Sequence, residues 1–87
     1  MNIDDFEIDR MIIDELIELI DYDDNARAFA FDELHASRDD ILMNYCDMNA
    51  IDYYSFDDDD IESMNDRIDD RLHRDEMRNA IARIINK

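Results

Sequence analysis

The chain is 87 residues long, enough for one small domain, and it carries 26 Asp and Glu against 9 Lys and Arg, a net charge of −17. That charge argues against DNA, RNA and anionic membranes as direct partners, and for a cationic partner or none at all. It contains no glycine and no proline, so the residues that hairpin turns need are missing, and so are the main helix breakers.

Helices joined by Asp- and Asn-capped turns are the natural solution. Ile, Leu and Phe together make up about a quarter of the chain, above the ~20% below which high charge usually means disorder. A chain this short buries only about 60–65% of its unfolded surface, so the core is modest. The expected fold is all-α, a single domain over residues 1–87 built as a small bundle of three to five helices with an acidic surface. No apolar run approaches the ~18 residues of a membrane span. The acidic N-terminus is unlike a signal or transit peptide. A single cysteine, Cys46, points to a reducing compartment.

Residues 4–20 read as the first helix. Asp4 with Glu7 three residues on resembles a capping box. Phe6, Met11, Ile12, Ile13, Leu16, Ile17, Leu19 and Ile20 form a broad apolar face, with Asp5, Asp9, Asp14, Glu15, Glu18 and Asp21 opposite. Arg10 is placed to pair with Asp14 at i,i+4. The stretch Asp21, Tyr22, Asp23, Asp24, Asn25 is a turn, with Asp24 or Asn25 as the next N-cap. Residues 26–36 follow. Their alternation from Ala26 to Phe31 allows a short strand, while the alanines favour helix.

Ser37, with Asp39 and Asp40 behind it, is a second cap signal. Residues 38–48 then carry Ile41, Leu42, Tyr45, Cys46 and Met48 on a third helix or a continuation of the second. Residues 49–55 suit an ordered loop packed on the core by Ile51, Tyr53, Tyr54 and Phe56. Tyr22 and Tyr54 are expected at the core edge; Tyr53 is either a core-edge residue or an interface anchor. The methionines read as core fillers.

Residues 58–86 give the longest helical pattern. Ile61, Met64, Ile68 and Leu72 keep one stripe; Met77, Ile81, Ile84 and Ile85 keep another, out of phase. The slip at 73–75 predicts a kink or break with Asp75 as cap. Asp57, Asp58, Asp59 and Asp60 fall at this helix's N-terminus, where the macrodipole favours them. Residues 1–66 hold 22 acids and 3 bases, whereas residues 67–87 hold 4 acids and 6 bases. With Asp70–Arg74 and Arg71–Asp75 at i,i+4, the last segment reads as an internally neutralised support.

Distributed carboxylate is therefore the strongest signal. Twenty of the 26 acids are Asp, which holds its charge close to the backbone and so fixes it in space. A domain spanning roughly 40 Å lies alongside about 24 phosphates of B-DNA, close to the number of carboxylates here. The candidate partner-binding residues are Asp52, Asp57, Asp58, Asp59, Asp60 and Glu62, with Asp21, Asp23, Asp24, Asp39 and Asp40 as a second patch. Asp21, Asp23, Asn25 and Asp32 also match positions 1, 3, 5 and 12 of a calcium loop. Ala26 replaces its glycine, Asp32 its bidentate Glu, and there is no partner loop, so a capping turn is favoured. His35 and Asp39 could share a helical face at metal-binding spacing, but two lone histidines are more often structural. No nucleophile–base pair or phosphate loop stands out. Neither catalysis nor a cofactor is expected.

Small, Asp-rich, helical and strongly negative, the chain resembles the DNA-mimic anti-defence proteins of bacteriophages, namely Ocr-type anti-restriction and acidic anti-CRISPR proteins. The phrases Tyr22-Asp23-Asp24, Asp32-Glu33-Leu34-His35 and Tyr53-Tyr54 look similar to phrases of the Ocr type, though at different separations. The resemblance is one of type, and no functional residue is carried over. It implies an inhibitor in the host cytoplasm that occupies the cationic nucleic-acid cleft of a nuclease, restriction enzyme or CRISPR effector. It also implies homodimerisation, which lengthens the mimic. The alternative is an acidic protein–protein adaptor without mimicry.

Overall fold

Glycine-free and proline-free segments with 3.6-residue periodicity give five α-helices in the computed structural model, which describes residues 3–86. They are α1 Asp5–Tyr22, α2 Ala30–Ala36, α3 Arg38–Met48, α4 Asp58–Leu72 and α5 Asp75–Ile85, with no strand among the described residues. Short 3-10 turns at Asp24–Arg27 and Tyr53–Ser55 fill two of the connections. The strand reading of 26–31 is thereby set aside. Alpha1 is the axis of the bundle and packs against all four other helices.

The α1 N-terminus forms as expected, with the Glu7 N–H donating to Asp4 Oδ1 at 2.8 Å. Its buried stripe is Ile8, Met11, Ile12, Glu15, Leu16 and Ile20. Phe6 and Ile17, expected inside, are 72% and 46% exposed. At about 100° per residue they lie across the helix from Ile8 and Ile12, so one apolar face cannot hold them all.

After α1 the cap falls earlier than Asp24 or Asn25. Asp23 Oδ1 accepts from the Asn25 N–H at 3.0 Å and starts a 3-10 turn that buries Ala26. The α-helix proper waits until Ala30. Only Ser37 separates α2 from α3, and its side chain makes no cap bond. The backbone nearly runs through, with Ser37 N–H bonded to Glu33 and Ile41 N–H bonded to Ser37.

Alpha3 ends in a Schellman motif. Ile51 N–H reaches back to Cys46 O at 2.8 Å, and Ala50 takes the left-handed position at φ 55°. Glycine normally sits there, because a Cβ in this region costs about 1–2 kcal/mol. Ala50→Gly is therefore expected to raise stability by about 0.5–1 kcal/mol in urea unfolding. A loss would mean that the turn is held by something other than this geometry.

In the connection to α4, Ile51, Tyr53 and Phe56 pack on the core as expected. Tyr54 does not, at 82% exposed, and neither does Tyr22, at 93%. Met48, placed among the core methionines from its spacing, is 75% exposed. Asp57 Oδ1 caps α4 through the Asp60 N–H at 2.8 Å. The break at 73–74 is present, but Arg74 occupies the N-cap position without a side-chain bond, and Asp75 is the first helical residue.

The arginines overturn one expectation. Arg74 does pair with Asp70, at 2.9 Å. Arg71 does not pair with Asp75. It crosses to α1 and grips Asp9 bidentately at 2.7 and 2.6 Å, while Arg67 reaches Asp5 at 3.2 Å. The C-terminal segment is thus neutralised within itself only in part, through Arg74–Asp70 and the longer Arg71–Glu76 approach at 4.0 Å; its two other close pairs go to the first helix. Arg10 makes no ion pair with Asp14.

Candidate functional site

The 57–60 run opens α4, and helical geometry fans its carboxylates around the axis at about 100° per residue. Asp57 is turned back onto the Asp60 N–H as the cap. Asp58 and Glu62 lie on the flank that continues to Asn65, and Asn65 Nδ2 donates to Asp39 Oδ1 on α3 at 2.8 Å. Asp59 and Asp66, seven residues apart, lie on the solvent side. Asp60 falls on the Arg67 flank, toward α1, and is half-buried. Asp58, Asp59, Glu62 and Asp66 are exposed, and none of them has an ion-pair partner among the described residues.

Asp52 is exposed but occupied locally. Its Oδ1 accepts from the Tyr54 N–H at 3.0 Å, and its carbonyl accepts from Ser55 Oγ at 2.6 Å. The Tyr53 phenol is pushed up by burial first, then by Asp39, with Asp58 contributing further. Asp39 and Asp58 therefore act on the same point, although sequence reasoning placed them in different patches.

The second patch divides. Asp40, next to Asp39 in sequence, instead acts on Glu15 of α1. Asp21 lies about 24 Å along α1 from Asp5 at 1.5 Å per residue. It leads into the turn of Asp23 and Asp24, which is tied to the end of α5 by Arg27 Nη1 donating to Ile85 O at 3.2 Å.

The metal alternatives lose their geometry. The segment from Asp21 to Asp32 winds into a helical turn and the start of α2, with Asp23 used as a cap. His35 meets Asp69 at 2.9 Å rather than Asp39. Among the described residues, no three His, Cys, Asp or Glu side chains converge as metal ligands.

Sequence reasoning missed Asp66, which the seven-residue spacing from Asp59 would have shown, and Glu15. Glu15 was placed on the outer face of α1, but it is only 6% exposed. It completes the stripe 8, 11, 12, 15, 16, a spacing that could have flagged it. Asn44 Nδ2 donates to its Oε2 at 2.8 Å. Burial pushes the carboxyl above its ordinary range, the Asn44 bond opposes this, and Glu18 and Asp40 raise it further. A carboxyl raised in the folded state contributes most when protonated, and that contribution is lost as pH rises through its folded pKa. Glu15→Gln, which can keep the Asn44 bond, is expected to raise Tm at pH 7. A gain of about 1 kcal/mol would appear as roughly 4–8 °C in a domain this size. The gain should shrink as pH falls through the Glu15 titration; a pH-independent difference in calorimetry would refute this.

Compared with protein-family models, with curated proteins and with solved structures, the chain matches none of them.

Proposed function

We propose that this chain is a nucleic-acid mimic, an inhibitor that presents its carboxylates to the cationic cleft of a nucleic-acid-binding defence enzyme such as a nuclease or CRISPR effector. One observation carries the reading. Arg38, Arg67, Arg71 and Arg74 are committed to Asp69, Asp5, Asp9 and Asp70, while Asp58, Asp59, Glu62 and Asp66 stand exposed with no ion-pair partner among the described residues. The internal bases hold the fold and leave this charge for a partner. The long axis of 37 Å matches a stretch of duplex bearing about 22 phosphates, so the scale of the charge fits the cleft it would fill.

The test is competition. With a panel of purified restriction nucleases and RNA-guided effectors, the chain is expected to displace fluorescent duplex DNA from its target. Its own affinity should fall by at least about 100-fold between 50 and 200 mM salt, as counterion-driven binding does. A complex that excess duplex leaves intact, with affinity flat in salt, would instead favour the adaptor reading. For that reading the exposed ring next to the acidic run is Tyr54, since Tyr53 and Phe56 pack on the core.

A further inference from the structure

Alpha1 and α3 enclose a groove of about 240 Å³ whose apolar bed is Met11, Ile41 and Tyr45, with the exposed Met48 at its lip. Glu15 lines it. Of the two Glu15 oxygens, Oε2 takes the Asn44 amide, and Oε1 accepts no hydrogen bond from the described residues. Oε1 is open to the groove rather than sealed in, since the one fully enclosed side-chain atom without a partner among the described residues is Asn65 Oδ1, so on this largely buried residue it is available to a cationic donor that enters. Asp14 and Glu18 stand on the same wall. Arg10 lies at the groove too, yet forms no ion pair with any of these acids, so the chain's own cation does not fill it.

We propose that this groove is an anchor pocket for one arginine side chain of a protein partner, with the guanidinium on Glu15 Oε1 and the aliphatic stem along Met11, Ile41 and Met48. The volume is below the ~300–1,000 Å³ of sites for drug-sized molecules, which fits a single long side chain. Apolar walls lead to a buried negative end, and the occupant must match both: a long hydrocarbon stem with a cationic head. Arginine suits the pocket better than lysine. Its guanidinium is more weakly hydrated and so loses less on burial, and it can lie against the Tyr45 ring. A bare divalent ion fits poorly, because no three carboxylates converge here.

The pocket involves α1 and α3 rather than the α4 N-terminus, and it does not depend on nucleic-acid mimicry. Its test needs no target protein. Protein labelled with 13C at the methionine methyls is titrated with Nα-acetyl-arginine methylamide, and with the citrulline analogue as the neutral isostere. Saturable shifts are expected at Met11 and Met48, at least 10-fold weaker with citrulline. Glu15→Gln should weaken arginine binding at least 10-fold, and Met48→Ala about 3-fold. Asp58→Asn should leave it unchanged. Met48 is exposed and Glu15→Gln keeps the Asn44 bond, so both variants should fold, with circular dichroism as the check. Shifts that never saturate, that spread over the acidic surface, or that persist in Glu15→Gln would overturn the pocket. A null result here would leave the duplex-competition test standing, and failure of that test would leave this one standing.

Discussion

Arg71→Ala is expected to destabilise the domain by about 2–4 kcal/mol, somewhat under the 3–5 typical of breaking a buried ion pair. The Arg71 side chain is 12% exposed and its Asp9 partner 31%, and two short hydrogen bonds join them. Truncation leaves Asp9 facing α4 without its counter-charge, and the partial exposure of Asp9 is why the figure is discounted. The Asp9 bond is also the main reason the guanidinium is held charged more firmly than usual. For a domain of this size the loss corresponds to a fall in Tm of roughly 10–25 °C. Arg71→Lys should recover only part, because lysine cannot reproduce the bidentate fork. Adding Asp9→Ala to Arg71→Ala should restore some stability by removing the orphaned carboxylate, giving a coupling of about 1–3 kcal/mol in a double-mutant cycle. Single and double variants that all unfold within 0.5 kcal/mol of the parent in urea would show the staple to be inert.

The second large effect concerns binding. Converting Asp58, Asp59, Glu62 and Asp66 together to their amides should weaken target binding by at least about 100-fold, given ~1.5–3 kcal/mol for each charged hydrogen bond made in the complex. The design spares Asp57, whose carboxylate caps α4, because losing a cap costs about 1 kcal/mol and would confuse folding with binding. Stability should change little. The favourable interaction of Asp58 and Asp59 with the helix dipole is offset by their mutual repulsion. Tyr54→Ala is the matched control and should leave binding unchanged. If the amide variant binds as before while Tyr54→Ala does not, the mimic reading fails and the adaptor reading replaces it.

Much of the fold was legible because the chain lacks glycine and proline and keeps helical periodicity through each element. The breaks near 21–25, 37, 49–57 and 73–74 all announced themselves through Asp, Asn or Ser clusters or a phase slip. What escaped was whatever depends on a partner distant in sequence. Phe6 and Ile8 are equally apolar, and only the position of α4 and the other helices decides which is buried. Arg71 has an acid at i+4, but Asp9 offers better geometry from another helix, and no local rule ranks the two. Glu15 was lost among identical neighbours, since residue type says nothing when every outward position is acidic. The candidate site was legible as a density of charge. Which carboxylates were spent on arginines was not, because that depends on cross-helix contacts.

The arginine staples also set an order of events during synthesis. Asp5 and Asp9 leave the ribosome 62 residues before Arg67 and Arg71, a delay of about 3–12 s at 5–20 residues per second. Throughout that interval the nascent chain is almost purely anionic, with 3 bases in residues 1–66 against 22 acids. Self-repulsion then keeps it open until its counter-charges emerge, so folding waits for residues 67–74. Chains in which residue 67 has not yet emerged from the ribosome should be sensitive to protease, and chains in which α5 has also emerged should resist it.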